Sequence, residues 1–130
     1  MGAATVSAVS SVPYFDDVLA PEVPVLQLAD AAKRLGVPLT RVHQLLRDGA
    51  LFAVRRNSVV SIPEIFIEEE GRVLKGLPGL ISVLRDGGYT DLEILQWLFA
   101  VDDTLPGAPV QALHSNRAKE VTRRAQAMAL

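Results

Sequence analysis

The chain has 130 residues, 49% of them hydrophobic and only 5% aromatic, so a core of Leu, Val, Ile and Ala can form and a disordered chain is excluded. It has no cysteine, which excludes disulfides, thiolate zinc sites and a cysteine nucleophile and fits a reducing compartment. The formal charge of −2 disfavours a polyanionic partner only on average, because charge is segregated along the chain. Residues 28–63 carry Lys33, Arg34, Arg41, Arg47, Arg55 and Arg56 against Asp30 and Asp48, a net +4, and residues 64–108 are net −6.

In chain order, Met1 to Pro24 mixes Ala, Ser and Val with Pro13, Pro21 and Pro24, and no helical or strand period holds across it. Residues 1–24 therefore read as a flexible tail, with Tyr14 and Phe15 or Val18 and Leu19 as the groups that could dock on the body. Met1 to Val12 has no Lys or Arg, so it is not a secretory signal, and no run approaches the roughly 18 apolar residues of a membrane span. The chain reads as soluble and cytoplasmic.

Leu28, Ala31, Ala32 and Leu35 recur at helical spacing, and Gly36 ends that helix. Pro38 suits the first turn of a second helix, whose apolar face is Leu39, Val42, Leu45 and Leu46 and which stops at Gly49. Leu51 to Val54 and Val59 to Ile62 are β-rich, and Arg55-Arg56-Asn57-Ser58 between them makes a hairpin with a basic tip. Two short helices, a tight turn and a hairpin form a winged helix-turn-helix, expected over residues 25–64. After it, Ile65, Phe66 and Ile67 read as buried, and Pro78 opens a helix to about Arg85. Thr90 and Glu93 form a capping box for a helix bearing Leu92, Leu95, Trp97, Leu98 and Phe99. After a loop from Asp102 to Pro109, a last helix is expected from Val110 to Met128. The fold class is mainly α with a two-stranded β wing, and residues 65–130 form a helical region packed on the winged unit.

With Val42, Leu45 and Leu46 inward, the second helix presents Thr40, Arg41, His43, Gln44 and Arg47 outward. Such side chains donate to phosphates, and Arg and Gln pair bidentately with guanine and adenine. An ordinary solvated helix face would look similar. The wing adds Arg55, Arg56 and Asn57, and two adjacent arginines repel each other without helping a turn, so double-stranded DNA is the partner favoured. An adaptor that keeps the winged-helix shape for a protein partner is the alternative, supported by the acidic pI of about 5.6. An enzyme is not expected, because no nucleophile–base or carboxylate pair can be assembled from motif spacing. No metal or cofactor is expected either. His43 and His114 lie far apart, Glu68-Glu69-Glu70 lacks alternating oxygen ligands, and Gly87-Gly88 reads as a helix cap.

The stretches Leu28-Ala-Asp-Ala-Ala-Lys-Arg-Leu-Gly-Val-Pro, Gln44-Leu-Leu-Arg-Asp-Gly, Ala53-Val-Arg-Arg and Ile62-Pro resemble an actinobacterial family of winged-helix DNA-binding proteins. The likeness continues through Leu77-Pro-Gly-Leu, Asp86-Gly-Gly-Tyr, Trp97-Leu-Phe, Val110-Gln-Ala-Leu-His and Arg123-Arg-Ala-Gln-Ala-Met-Ala. The front half is also similar, more loosely, to excisionase and MerR-type wings. One mycobacterial member of the family is a substrate of a membrane-bound Ser/Thr kinase. The resemblance implies DNA binding through Arg41, Gln44, Arg47, Arg55 and Arg56, and phosphorylation of the tail by a Ser/Thr kinase, with Thr5 the best-matched acceptor. Since a lone reading head gains affinity on a two-fold site, the apolar last helix is also a candidate homodimer surface.

Overall fold

The computed structural model describes residues 12–130. Along the chain its elements are β1 (Phe15–Asp16), β2 (Val25–Gln27), α1 (Leu28–Leu35), α2 (Leu39–Arg47), β3 (Val54–Arg56) and β4 (Val59–Pro63). A 3-10 turn at Glu64–Phe66 leads to α3 (Leu77–Asp86), α4 (Asp91–Phe99), α5 (Pro109–Ala112) and α6 (Ala118–Met128).

The two front helices form where their periodicity places them. Gly36 closes α1 in the left-handed region (φ +69°), which only glycine enters at no steric cost, and its N–H returns to the carbonyls of Ala32 and Lys33. α2 buries Val42 and Leu46, one turn apart, while Leu45 is half-buried. Leu39 departs from the expected apolar face: in the first turn of α2 it is 43% exposed.

The wing is larger than two strands. Four strands lie in the order β1-β3-β4-β2, with β1 parallel to β3 and the other pairs antiparallel. The added strands are two and three residues long, too short to show an alternating pattern. Described residues of the expected tail thus belong to the body: Phe15 pairs with Val54, the Pro24 carbonyl accepts from the Glu64 N–H at 3.0 Å, and Leu19 is buried.

In the second half Thr90 accepts from the Glu93 N–H at 3.1 Å while the Glu93 carboxylate accepts from the Thr90 N–H at 2.8 Å, the expected capping box. The single last helix expected from Val110 to Met128 is instead two. Ser115 Oγ donates to the Ala112 carbonyl (2.7 Å) and accepts from the Arg117 N–H (3.0 Å), a side-chain substitute for helical hydrogen bonds that turns the chain between α5 and α6. One continuous core joins the halves, running from Val42, Val54 and Ile62 through Phe66 and Leu84 to Leu98 and Val121.

The hairpin turns on Asn57 (φ 51°) and Ser58 (φ 68°), the two positive dihedrals a type I′ turn needs. Ser58 bears a Cβ in the left-handed region, at a cost of about 1 kcal/mol. Ser58→Gly is therefore expected to raise the melting temperature by about 3 °C; an unchanged or lower value in thermal unfolding would contradict the turn assignment.

Candidate nucleic-acid interface

At 100° per residue, Gln44 lies opposite the buried Val42–Leu46 line of α2, with Thr40 and Arg47 to one side of it, Arg41 to the other, and His43 nearest the buried line. Thr40, Arg41, Gln44 and Arg47 are exposed, and His43 is half-buried. The Gln44 amide donates to Asp48 Oδ1 one turn on, at 2.8 Å, which holds its orientation. On α1, Lys33 is exposed, whereas Arg34 is ion-paired to Glu64 at 2.8 Å.

The wing separates its two arginines. Val54 pairs with Ser61, Arg55 with Val60 and Arg56 with Val59, so the two-residue pleat sends positions 54 and 56 to one face and Arg55 to the other. Val54 is fully buried, and Arg56 follows it inward. Its side chain is only 15% exposed: Nε meets Asp17 Oδ2 at 2.6 Å, and the remaining guanidinium nitrogens donate to the carbonyls of Ala20, Pro21 and Val23. The expected basic tip is corrected accordingly. Arg55 and Asn57 are exposed, the turn is Asn57-Ser58, and Arg56 ties the segment before β2 to the wing.

This contact acts on Asp17. The hydrogen bond from Arg56 holds its carboxyl below the ordinary value of 3.8, aided by the Leu19 N–H at 3.1 Å and opposed by partial burial. On β1, Asp16 stands in register with Arg55. Sequence reasoning missed Asp17 as the partner of Arg56, although the strand period of the hairpin was an available signal.

Among the described residues no group of three or more His, Asp or Glu side chains gathers to hold a metal ion, and no helix is long and apolar enough to cross a membrane. His114 Nε2 lies 2.8 Å from the Ile65 carbonyl. The Glu68 carboxylate accepts from Arg72 and from the Lys75 N–H, closing its own loop. Thr5 lies outside the described residues. A groove of about 850 Å³ in the second half has Ile67, Leu113 and Ala118 among its walls, with Glu69 and Lys119 beside them.

A short helix, a glycine turn, a second helix with a polar outer flank and a β wing define a winged helix-turn-helix protein. Residues 11–67 match the family model described as "DNA-binding protein Rv2175c, wHTH domain", and residues 74–129 match that of the "Rv2175c C-terminal domain of unknown function". The chain belongs to the Rv2175c family, as the sequence resemblance implied. It is 47% identical to the DNA-binding protein Rv2175c of Mycobacterium tuberculosis, over 96% of this chain and 94% of that protein. The NMR structure of Rv2175c superposes with a TM-score of 0.79 at 43% identity, covering 98% of this chain and 100% of that one.

Arg56→Ala removes charged hydrogen bonds and is expected to cost about 2 kcal/mol of stability, whereas Arg55→Ala stays within about 0.5 kcal/mol of the parent. Equal melting temperatures for the two variants would contradict the inward assignment of Arg56. Because the Asp17 carboxyl is depressed, its contribution is complete above the ordinary value of 3.8 and is lost as pH falls through the lower folded-state value. The stability gap between wild type and Asp17→Asn should therefore be widest near neutral pH and shrink as pH falls below 3.8; a gap that widens on acidification would refute the linkage.

Proposed function

We propose that the chain binds double-stranded DNA through the outer flank of α2 and the exposed face of the wing, as a transcriptional regulator. The supporting observation is that Lys33, Arg41, Arg47 and Arg55 are all exposed on the helix-turn-helix and wing. A relative named as a DNA-binding protein shares the fold and nearly half of the sequence. In this reading Arg41, Arg47 and Arg55 meet phosphates or base edges, Thr40, His43 and Asn57 contribute polar contacts, and Gln44 reads a base when it leaves Asp48. Arg56 supports the wing from behind.

The family resemblance adds a regulatory arm. Phosphorylation of Thr5 by a Ser/Thr kinase adds about −1.5 to −2 charges to the tail and weakens binding by repulsion. Two copies on a two-fold site would raise affinity further. The competing reading, a protein–protein adaptor, would use the groove beside Leu113 and Ala118 instead.

Fluorescence anisotropy with a labelled duplex across a salt series tests the reading. Four cations on phosphates give a log–log slope of about −3.5, and Arg41→Ala with Arg55→Ala should reduce it to about −2 while preserving the fold. A flat salt response, or a double variant that binds as wild type does, would favour the adaptor.

A further inference from the structure

The end of α2 is held from the other half of the molecule. The Asp48 N–H returns to the Gln44 carbonyl (2.8 Å) and the Gly49 N–H to that of Leu46 (3.1 Å), and Gly49 turns the chain in the left-handed region (φ +72°). Arg85, in the last turn of α3, donates from Nη2 to the Gly49 carbonyl at 3.3 Å and from Nε to Asp91 Oδ1 at 2.9 Å. Asp91 lies in the first turn of α4. One planar guanidinium thus links the turn after α2 to two helices of the second half. Each charge sits where a helix dipole favours it, the cation near the C-terminal ends of α2 and α3 and the anion at the N-terminal end of α4.

Gly49 also supplies the room for this approach. A Cβ there would stand 2.4 Å from Arg85 Nη2, so a side chain at position 49 would push the guanidinium away from the turn, and the positive φ independently favours glycine. The side chains of Arg85 and Asp91 are each 38% exposed, placing the link at a rim rather than in the core. The bond can therefore be broken without opening a cavity. Lysine could keep the charge at this position but not the two-way fork.

We propose that Arg85 is a positioning residue for the reading helix: through Gly49 it lets the C-terminal half fix the attitude at which the Thr40–Arg47 flank meets DNA. This rests on the DNA-binding reading above, and it gives the second half of the chain a task. The alternative role for a cation beside α2 is direct contact with phosphate, which has a different salt signature.

The experiment uses the full-length chain as wild type, Arg85→Ala, Arg85→Lys and Asp91→Asn, with folding checked by circular dichroism. Two readouts are taken: amide exchange at residues 45–51 without DNA, and affinity with its salt slope for a labelled 30-base-pair duplex. Both Arg85 variants are expected to speed exchange in that segment about tenfold and weaken binding three- to tenfold, with Asp91→Asn milder in the same direction. The salt slope should stay within about 0.3 of wild type in all three. A slope about 1 lower in Arg85→Ala but normal in Arg85→Lys would make Arg85 a phosphate ligand and overturn the proposal. Unchanged exchange and affinity in folded variants would overturn it while leaving DNA binding intact. A wild-type chain that binds no duplex would sink the DNA reading itself, and the exchange data would still show whether Arg85 holds the turn.

Discussion

The structure depends on a partly buried guanidinium that has found acceptors. Placing Arg56 on the same face as the fully buried Val54 would be costly if its donors were unmet. The Asp17 carboxylate and three backbone carbonyls meet them. In doing so they pull residues 17–23 across the wing, bring β1 into register beside β3, and leave Leu19 buried. The hairpin thereby gains a third strand on one side and, through β2, a fourth on the other. An isolated two-stranded ribbon is marginal in water, whereas this sheet is supported at both edges. Arg55 and Asn57 are presented from that supported sheet.

An acidic net charge is compatible with the proposed DNA-facing surface because charge is segregated along the chain. Six of the fifteen acids are ion-paired within the molecule: Glu64 to Arg34, Asp17 to Arg56, Glu68 to Arg72, Asp91 to Arg85, and Asp102 with Glu120 to Arg124. Net charge is then a poor guide to what a polyanion meets at close range, since screening confines the relevant field to about a Debye length. Two acids remain beside the proposed face. Asp48 holds Gln44, and Asp16 stands in register with Arg55.

Much of this was legible in the residues. The Leu28–Leu35 and Val42–Leu46 periodicities, the helix stops at Gly36 and Gly49, and the Thr90–Glu93 box each encode a local preference that the fold obeys. What was hidden was tertiary. Phe15–Asp16 and Val25–Gln27 become strands only because other strands lie beside them. The opposite directions of Arg55 and Arg56 follow from strand period once the first hairpin strand is placed at Val54–Arg56 rather than the expected Leu51–Val54, but a turn-centred reading of the hairpin tip obscured it. The break at Ser115 is masked by good helix formers on both sides, and the Arg85–Gly49 link spans 36 positions in sequence.

The central claim is that the outer flank of α2 and the Arg55 face of the wing form one DNA-facing surface. Titrating the isotope-labelled chain with a short duplex while following backbone amide shifts tests it most directly. The account predicts that residues 40–47, Arg55 and the Asn57-Ser58 turn shift in concert, while residues lining the Leu113 groove stay still. Shifts confined to that groove, or spread without preference over α3 and α6, would contradict it.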